Sequence, residues 1–122
     1  MPETLFDILV GIGVGNTVED MQERLARSRA KWEALYEALK DMEGREVTKA
    51  HAGKALKGVN PKVTVDGALM QMVVFEHKGY IEGVRDADGH MKKRMAVKIT
   101  QRGHEYFKGM IEETKELAME LA

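Results

Sequence analysis

Residues 85–103 read RDADGHMKKRMAVKITQRG, and this stretch decides how the rest of the chain is interpreted. An acidic turn containing Gly89 leads into three consecutive cations, and residues 95–99 then alternate between apolar and less apolar side chains. Alternation with a period of two is typical of a half-buried β-strand, and Asp-Gly before such a strand is typical of a hairpin turn. The stretch therefore predicts a β-hairpin that ends at Thr100, a favourable N-cap for a following helix.

The composition is that of a small folded domain. The chain has 122 residues, of which 43% are hydrophobic and 32% are charged, so we expect one domain with a modest core. Cysteine is absent, which excludes a disulfide scaffold and a thiolate metal site and fits a reducing, cytoplasmic location. No run of about 18 apolar residues occurs, so no membrane-spanning helix is expected.

The net charge of −1 conceals two basic segments. Residues 44–64 carry five bases and one acid, and residues 89–104 carry five bases and no acid. A nearly neutral protein can bind a polyanion if its bases lie on one face. The charge distribution therefore keeps nucleic acid open as a partner.

Both ends of the chain predict long helices. Thr17 is a favourable N-cap, and apolar residues then recur at heptad spacing as far as Met42, before a stop at Gly44. A second seam of this kind follows Thr100. The two seams either pair within one subunit or form a dimer, and we favour a homodimer. The residues expected at its interface are Trp32, Leu35, Leu39, Phe107, Met110, Leu117 and Leu121.

The middle of the chain predicts a compact series of short elements. Residues 49–57 predict a helix capped by Thr48, and residues 58–61 predict a turn. Residues 63–78 predict a second helix, and residues 80–85 predict a strand that leads into the hairpin turn. The expected order is long helix, short helix, turn, helix, strand, turn, strand, long helix.

This order resembles a winged helix-turn-helix domain of the MarR and PadR groups of regulators. Residues 75–82, FEHKGYIE, resemble the end of the recognition helix and the first wing strand. Residues 97–103, VKITQRG, resemble the second wing strand with the LT-x-x-G start of the next helix. The likeness covers about residues 44–110. It implies a mainly α fold with a small β-hairpin wing and long N- and C-terminal dimerisation helices.

The residue patterns and the resemblance together predict four segments. Residues 1–16 form an apolar, glycine-containing N-terminal arm, and residues 17–43 form the long heptad-like helix. Residues 44–99 form the winged helix-turn-helix core, and residues 100–122 form the C-terminal dimerisation helix.

The function implied by the resemblance is a DNA-binding transcriptional regulator that acts as a homodimer on double-stranded DNA. It is not an enzyme, and neither a cofactor nor a metal is implied. Lysine and arginine side chains would neutralise phosphates, and polar side chains on the second helix would face base edges. The residues expected at the DNA are Lys49, Lys54, Lys57, Lys62, Thr64, Gln71, Lys92, Lys93 and Arg94.

An alternative function follows from the unusual second helix. Residues 69–75 are apolar nearly all round, and Asp66 would be repelled by phosphate. A helix that is apolar on every side is buried on every side or covered by a partner. We therefore expect Met70 or Val74 to be more exposed than a core residue. The alternative is a protein-protein interaction or assembly module that does not read DNA specifically.

The sequence contains no local catalytic or metal-binding motif. The four histidines, residues 51, 77, 90 and 104, are too scattered for a local metal motif. No Ser-His-Asp arrangement or paired-carboxylate spacing occurs. These patterns give no support to an enzymatic function.

Overall fold

The computed structural model describes residues 17–122, which are mostly helical with a small antiparallel β component. This confirms the prediction of a mainly helical fold with a small β component. The predicted N-terminal arm, residues 1–16, lies outside the described residues. The elements are α1 (Val18–Met42), β1 (Val47–Thr48), α2 (Lys49–Val59), α3 (Val65–His77), β2 (Ile81–Glu82), β3 (Arg94–Met95), β4 (Lys98–Ile99) and α4 (Gln101–Leu121).

A threonine side chain caps the start of each described helix. The hydroxyl oxygen accepts a hydrogen bond from the backbone N–H three residues later, which satisfies a group that the helix leaves unpaired. The four caps are Thr17, Thr48, Thr64 and Thr100. Sequence analysis identified all but Thr64, because it began the second helix at residue 63 rather than at Val65. It also ended α2 too early, since this helix runs on through Gly58 to Val59.

The apolar seam of α1 packs against α4 of the same chain. The rings of Tyr36 and Phe107 stack with centroids 5.7 Å apart, and the Trp32 ring lies 6.4 Å from that of Phe107. The Tyr36 hydroxyl and Nδ1 of His104 form a hydrogen bond of 2.5 Å. Later residues of α1 thus meet earlier residues of α4, so the helices run antiparallel. The heptad spacing predicted the buried positions Leu25, Trp32, Leu39 and Met42, whereas Val18 at the start of the seam is 49% exposed. Pairing of the two seams within one chain was the less favoured of the two predicted arrangements.

The residues predicted at a dimer interface separate into two groups. Trp32, Leu39, Phe107 and Met110 are each 9% exposed or less within one chain. Their side chains fill the core of that chain, so they have almost no surface to offer a second chain. Leu35, Leu117 and Leu121 are half-buried, and the expectation of a dimer rests on them.

The β component consists of two short antiparallel pairs. β1 pairs with β3, placing Val47 opposite Met95, and β2 pairs with β4, placing Ile81 opposite Ile99. The single strand predicted after the hairpin turn is therefore divided, because its two halves pair with different strands. The predicted alternation still holds, since Met95, Val97 and Ile99 are buried and the residues between them are exposed.

One hydrophobic core joins the helices to the strands. Its members come from every element, and they include Leu39, Met42, Leu56, Met72, Phe75, Ile81, Met95 and Phe107. Close approach between α4 and the chain before β2 depends on Gly103, because a Cβ there would overlap the carbonyl oxygen of Tyr80. This explains in physical terms why glycine stands at that position of the VKITQRG stretch. None of the helices within residues 17–122 is both long and apolar enough to cross a membrane.

Candidate nucleic-acid interface

The helix pair formed by α2 and α3 is packed closely at a glycine. α2 buries Ala52, Gly53 and Leu56. A Cβ at Gly53 would lie 2.7 Å from Cγ1 of Val65 and 3.2 Å from Cγ of Leu69, so a larger residue would push α3 away. The close packing of α3 against α2 at this point therefore depends on the absence of a side chain at Gly53.

The turn between α2 and α3 is held by polar contacts of its own. Lys57 donates from Nζ to the carbonyl oxygen of Val63 at 2.9 Å and to that of Pro61 at 3.4 Å. Oδ1 of Asn60 accepts a hydrogen bond from the backbone N–H of Lys62. Sequence analysis placed Lys57 among the phosphate-binding residues. In the structure its half-buried side chain instead stabilises the turn, because the ammonium group satisfies two carbonyl oxygens.

The other polar residues predicted on α2, the turn and α3 are exposed. These are Lys49, Lys54, Lys62, Thr64 and Gln71. Thr64 uses one lone pair of its hydroxyl oxygen to cap α3, which leaves the proton and a second lone pair for an external partner. The three lysines and Gln71 remain available to a ligand.

The outward face of α3 carries both apolar and polar side chains. Ala68, Leu69, Met72 and Phe75 are buried against the core. The exposed positions are Asp66, Gly67, Met70, Gln71, Val74 and His77. Met70 is 60% exposed and Val74 is 38% exposed, which confirms the expectation that these two residues lie outside the core.

The chain between β2 and β3 folds back as a short hairpin closed by an isolated bridge between Arg85 and Met91, and three adjacent exposed cations follow it. Its tip is a turn in which Oδ1 of Asp86 accepts hydrogen bonds from the backbone N–H groups of Asp88 and His90. Lys92, Lys93 and Arg94 follow, and all three are exposed. None of them forms an ion pair with another residue in the described part of the chain.

The two basic segments meet at the base of this hairpin. The backbone N–H of Lys49 donates to the carbonyl oxygen of Lys93 at 2.8 Å, and Thr48 lies opposite Arg94 in the β1–β3 pair. The start of α2 and the cationic side of the hairpin are thus neighbours. Both groups of cations were predicted at the DNA, but nothing in the sequence indicates that they are adjacent.

Glu76 connects α3 to the hairpin. One carboxylate oxygen accepts from the backbone N–H of Val84 at 2.7 Å and from that of Arg85 at 3.3 Å, while the other accepts from Nε of Arg85 at 2.7 Å. Burial alone would raise the pKa of Glu76, but the bonds from Arg85 and Val84 outweigh it and hold the pKa below its ordinary value. The charged carboxylate therefore fixes where the hairpin lies relative to α3.

A cleft of about 240 Å³ lies between α1, α2 and α3. Its walls are mostly apolar, with Lys31 and Gln71 exposed among the lining residues, and they include Trp32, Leu56, Val63 and Phe75. The volume is below the roughly 300–1,000 Å³ typical of sites for drug-sized ligands. The cleft therefore gives no reason to assign a ligand to it.

Asp86, Asp88 and His90 form a small group at the hairpin tip that sequence analysis did not identify. One ligand-type atom of each lies within 4.8 Å of the others, and all three residues are exposed. The hydrogen bonds of the turn, in which the Asp86 carboxylate accepts two backbone N–H groups, account for this arrangement. We assign no metal to it.

Comparison with known proteins identifies no relative of this chain. No family model, no curated protein and no solved structure matches the chain.

Proposed function

We propose that this protein is a cytoplasmic transcriptional regulator that binds double-stranded DNA as a homodimer through a winged helix-turn-helix of the MarR/PadR type. α2, the turn and α3 would form the helix-turn-helix, with α3 as the recognition helix. The hairpin between β2 and β3 would be the wing. The half-buried leucines Leu35, Leu117 and Leu121 would contribute to the contact between subunits.

The observation that carries the proposal is the meeting of exposed cations from two distant segments. Lys49 lies beside the hairpin strand that carries Lys93 and Arg94, although the two segments are separated by both helices of the pair. Exposed cations without acidic partners are suited to phosphate, whose neutralisation releases condensed counterions. Such contacts would hold the domain on the backbone while α3 faces a groove.

The test is a titration of duplex DNA at several salt concentrations. If each hairpin cation contacts one phosphate, replacing Lys92, Lys93 and Arg94 together by alanine should reduce the slope of log affinity against log salt by roughly two to three units per subunit. Discrimination between DNA sequences should change little, because phosphate contacts carry no base information. Removing three exposed cations elsewhere, Arg24, Lys108 and Lys115, gives a control of equal charge that should leave the slope nearly unchanged. A folded hairpin variant with an unaltered slope would contradict the proposed role of the wing.

A second candidate function is a winged-helix module that binds another protein. The exposure of Met70 and Val74 favours it, because apolar side chains on an outward helix face are typical of protein contacts. The same titration distinguishes the two functions. A chain that does not bind duplex DNA even at low salt would make the protein-interaction function the better conclusion.

A further inference from the structure

The outward face of α3 has an unusual chemistry for a surface that would face DNA. Its middle consists of Met70 and Val74, which stand four residues apart and therefore share one side of the helix. Gln71 is the exposed polar residue between them. Between Asp66 in its first turn and His77 at its end, the face thus offers two apolar side chains and one amide where arginine or asparagine would give hydrogen bonds to base edges.

Thymine is the base that such a face can recognise in the major groove. Its C5-methyl group projects into that groove, and apolar side chains discriminate it by contact rather than by hydrogen bonding. The thioether of Met70 is flexible and polarisable, so it can adapt to a methyl group whose position varies with DNA shape. Adenine on the other strand of the same pair presents N6 and N7, which a glutamine side chain can bind.

The surroundings of this face favour DNA over an apolar protein partner. Lys62 precedes α3, α2 with its exposed lysines packs against α3, and Glu76 of α3 binds Arg85 of the hairpin. Gly67 is exposed in the first turn of α3 and has no side chain, so the backbone of a bound molecule can approach the helix closely at this point. Asp66 adds no attraction for phosphate, but in the first turn it stabilises the helix through the macrodipole.

We infer that Met70 and Val74 read thymine by covering C5-methyl groups in the major groove. This inference rests on the proposed DNA-binding function and deepens it, because it names the base and the chemical group that α3 selects. It predicts a preference for thymine-containing sites that is independent of the phosphate contacts made by the hairpin.

The experiment compares duplexes that differ only by this methyl group. Alternating adenine–thymine and adenine–uracil DNA duplexes of equal length carry the same phosphates, and so do guanine–cytosine duplexes with and without 5-methylcytosine. Burying one methyl-sized group contributes about 0.8 kcal/mol, so the methylated member of each pair should bind about fourfold tighter for each methyl group covered. The salt dependence should be the same within each pair, because the backbone charge is identical.

Variants of α3 connect the preference to these residues. Met70→Ala combined with Val74→Ala should bind both members of a pair equally, with an unchanged salt slope. Met119→Ala is the matched control, since Met119 is 75% exposed on the last turns of α4 and should keep the full preference. Circular dichroism would establish that each variant retains its helices.

The possible results separate this inference from the proposed function. Binding with the expected salt dependence but without a methyl preference would overturn the inference and leave the function intact. A preference that survives in the double variant would also overturn it, since other residues would then read the methyl group. Failure to bind any of the four duplexes at low salt would overturn both, and a protein partner on α3 would then be the better explanation for its exposed residues.

Discussion

Replacing Glu76 by alanine is the sharpest test of how the hairpin is positioned. The carboxylate is 15% exposed and accepts three hydrogen bonds, from the backbone N–H groups of Val84 and Arg85 and from the Arg85 guanidinium. Hydrogen bonds to a charged group contribute about 1.5–3 kcal/mol each, and bonds to one shared acceptor are not additive. We therefore expect Glu76→Ala to lower the free energy of unfolding by about 3 kcal/mol, and the melting temperature by on the order of 10 °C.

Acidification provides an internal check on this prediction. The pKa of Glu76 is lowered in the folded state, so its contribution to stability is complete above the unfolded pKa of 4.5 and is lost as the pH falls through the folded value. Urea denaturation at pH 7 and at successively lower pH should show the difference between wild type and Glu76→Ala shrinking only below that range. Glu112→Ala removes an exposed carboxylate from α4 and serves as the control. A loss below 1 kcal/mol at pH 7, or a difference that does not shrink in acid, would refute the reasoning.

Three further predictions concern α4 and its partners. Gly103→Ala should lower the unfolding midpoint in urea strongly, because its Cβ would overlap the Tyr80 carbonyl, whereas Gly109→Ala in the same helix should raise stability by about 0.5–1 kcal/mol, since nothing lies within 4 Å. Burial raises the pKa of Tyr106 to about 12, with smaller effects from Tyr80 and Glu113, so one tyrosine should ionise only near that pH in an ultraviolet titration and should be missing in Tyr106→Phe. Light scattering at micromolar concentration should give a dimer mass for the wild type and a monomer mass for Leu117→Asp; a monomeric wild type would contradict the proposed assembly.

Local chemistry explains the parts of the fold that the sequence predicted. Threonines at residues 17, 48 and 100 stand before helical periodicity, and each caps a helix in the structure. Gly89 follows Asp88 at the predicted turn and adopts a positive φ of 83°, which glycine tolerates without strain. These features depend on residues a few positions apart, so their signals are visible in one short window of sequence.

The contacts that the sequence did not predict are those between segments that lie far apart along the chain. Nothing near Glu76 indicates that its carboxylate accepts backbone N–H groups of the hairpin, and nothing near Glu43 indicates that it accepts the N–H of Ile99. Lys57 was predicted to bind phosphate. The sequence did not show the path of the turn, so it did not indicate that Lys57 binds two carbonyl oxygens there. Heptad spacing likewise shows which face of α1 is buried but does not show what covers it.

The exposure of apolar side chains on α3 was predicted from the number of apolar residues in the helix rather than from their spacing. Residues 69–75 offer apolar side chains on every side, and one small core cannot surround a helix completely. Sequence alone therefore indicated that some of them would be exposed. The expectation named Met70 or Val74, and both are exposed in the structure.

The antiparallel pairing of α1 with α4 has a consequence for synthesis on the ribosome. α1 ends at Met42, and the helix that covers its seam begins only at Gln101. At translation rates of about 5–20 residues per second, roughly 3–12 s pass between the synthesis of the last residue of α1 and that of the first residue of α4. During this interval α4 cannot cover the aromatic and leucine side chains of α1. The intrahelical ion pairs Arg29–Glu33 and Lys40–Glu37 lie on exposed side chains of the same helix. The helix therefore presents charged side chains to water on its exposed positions while its seam is still uncovered.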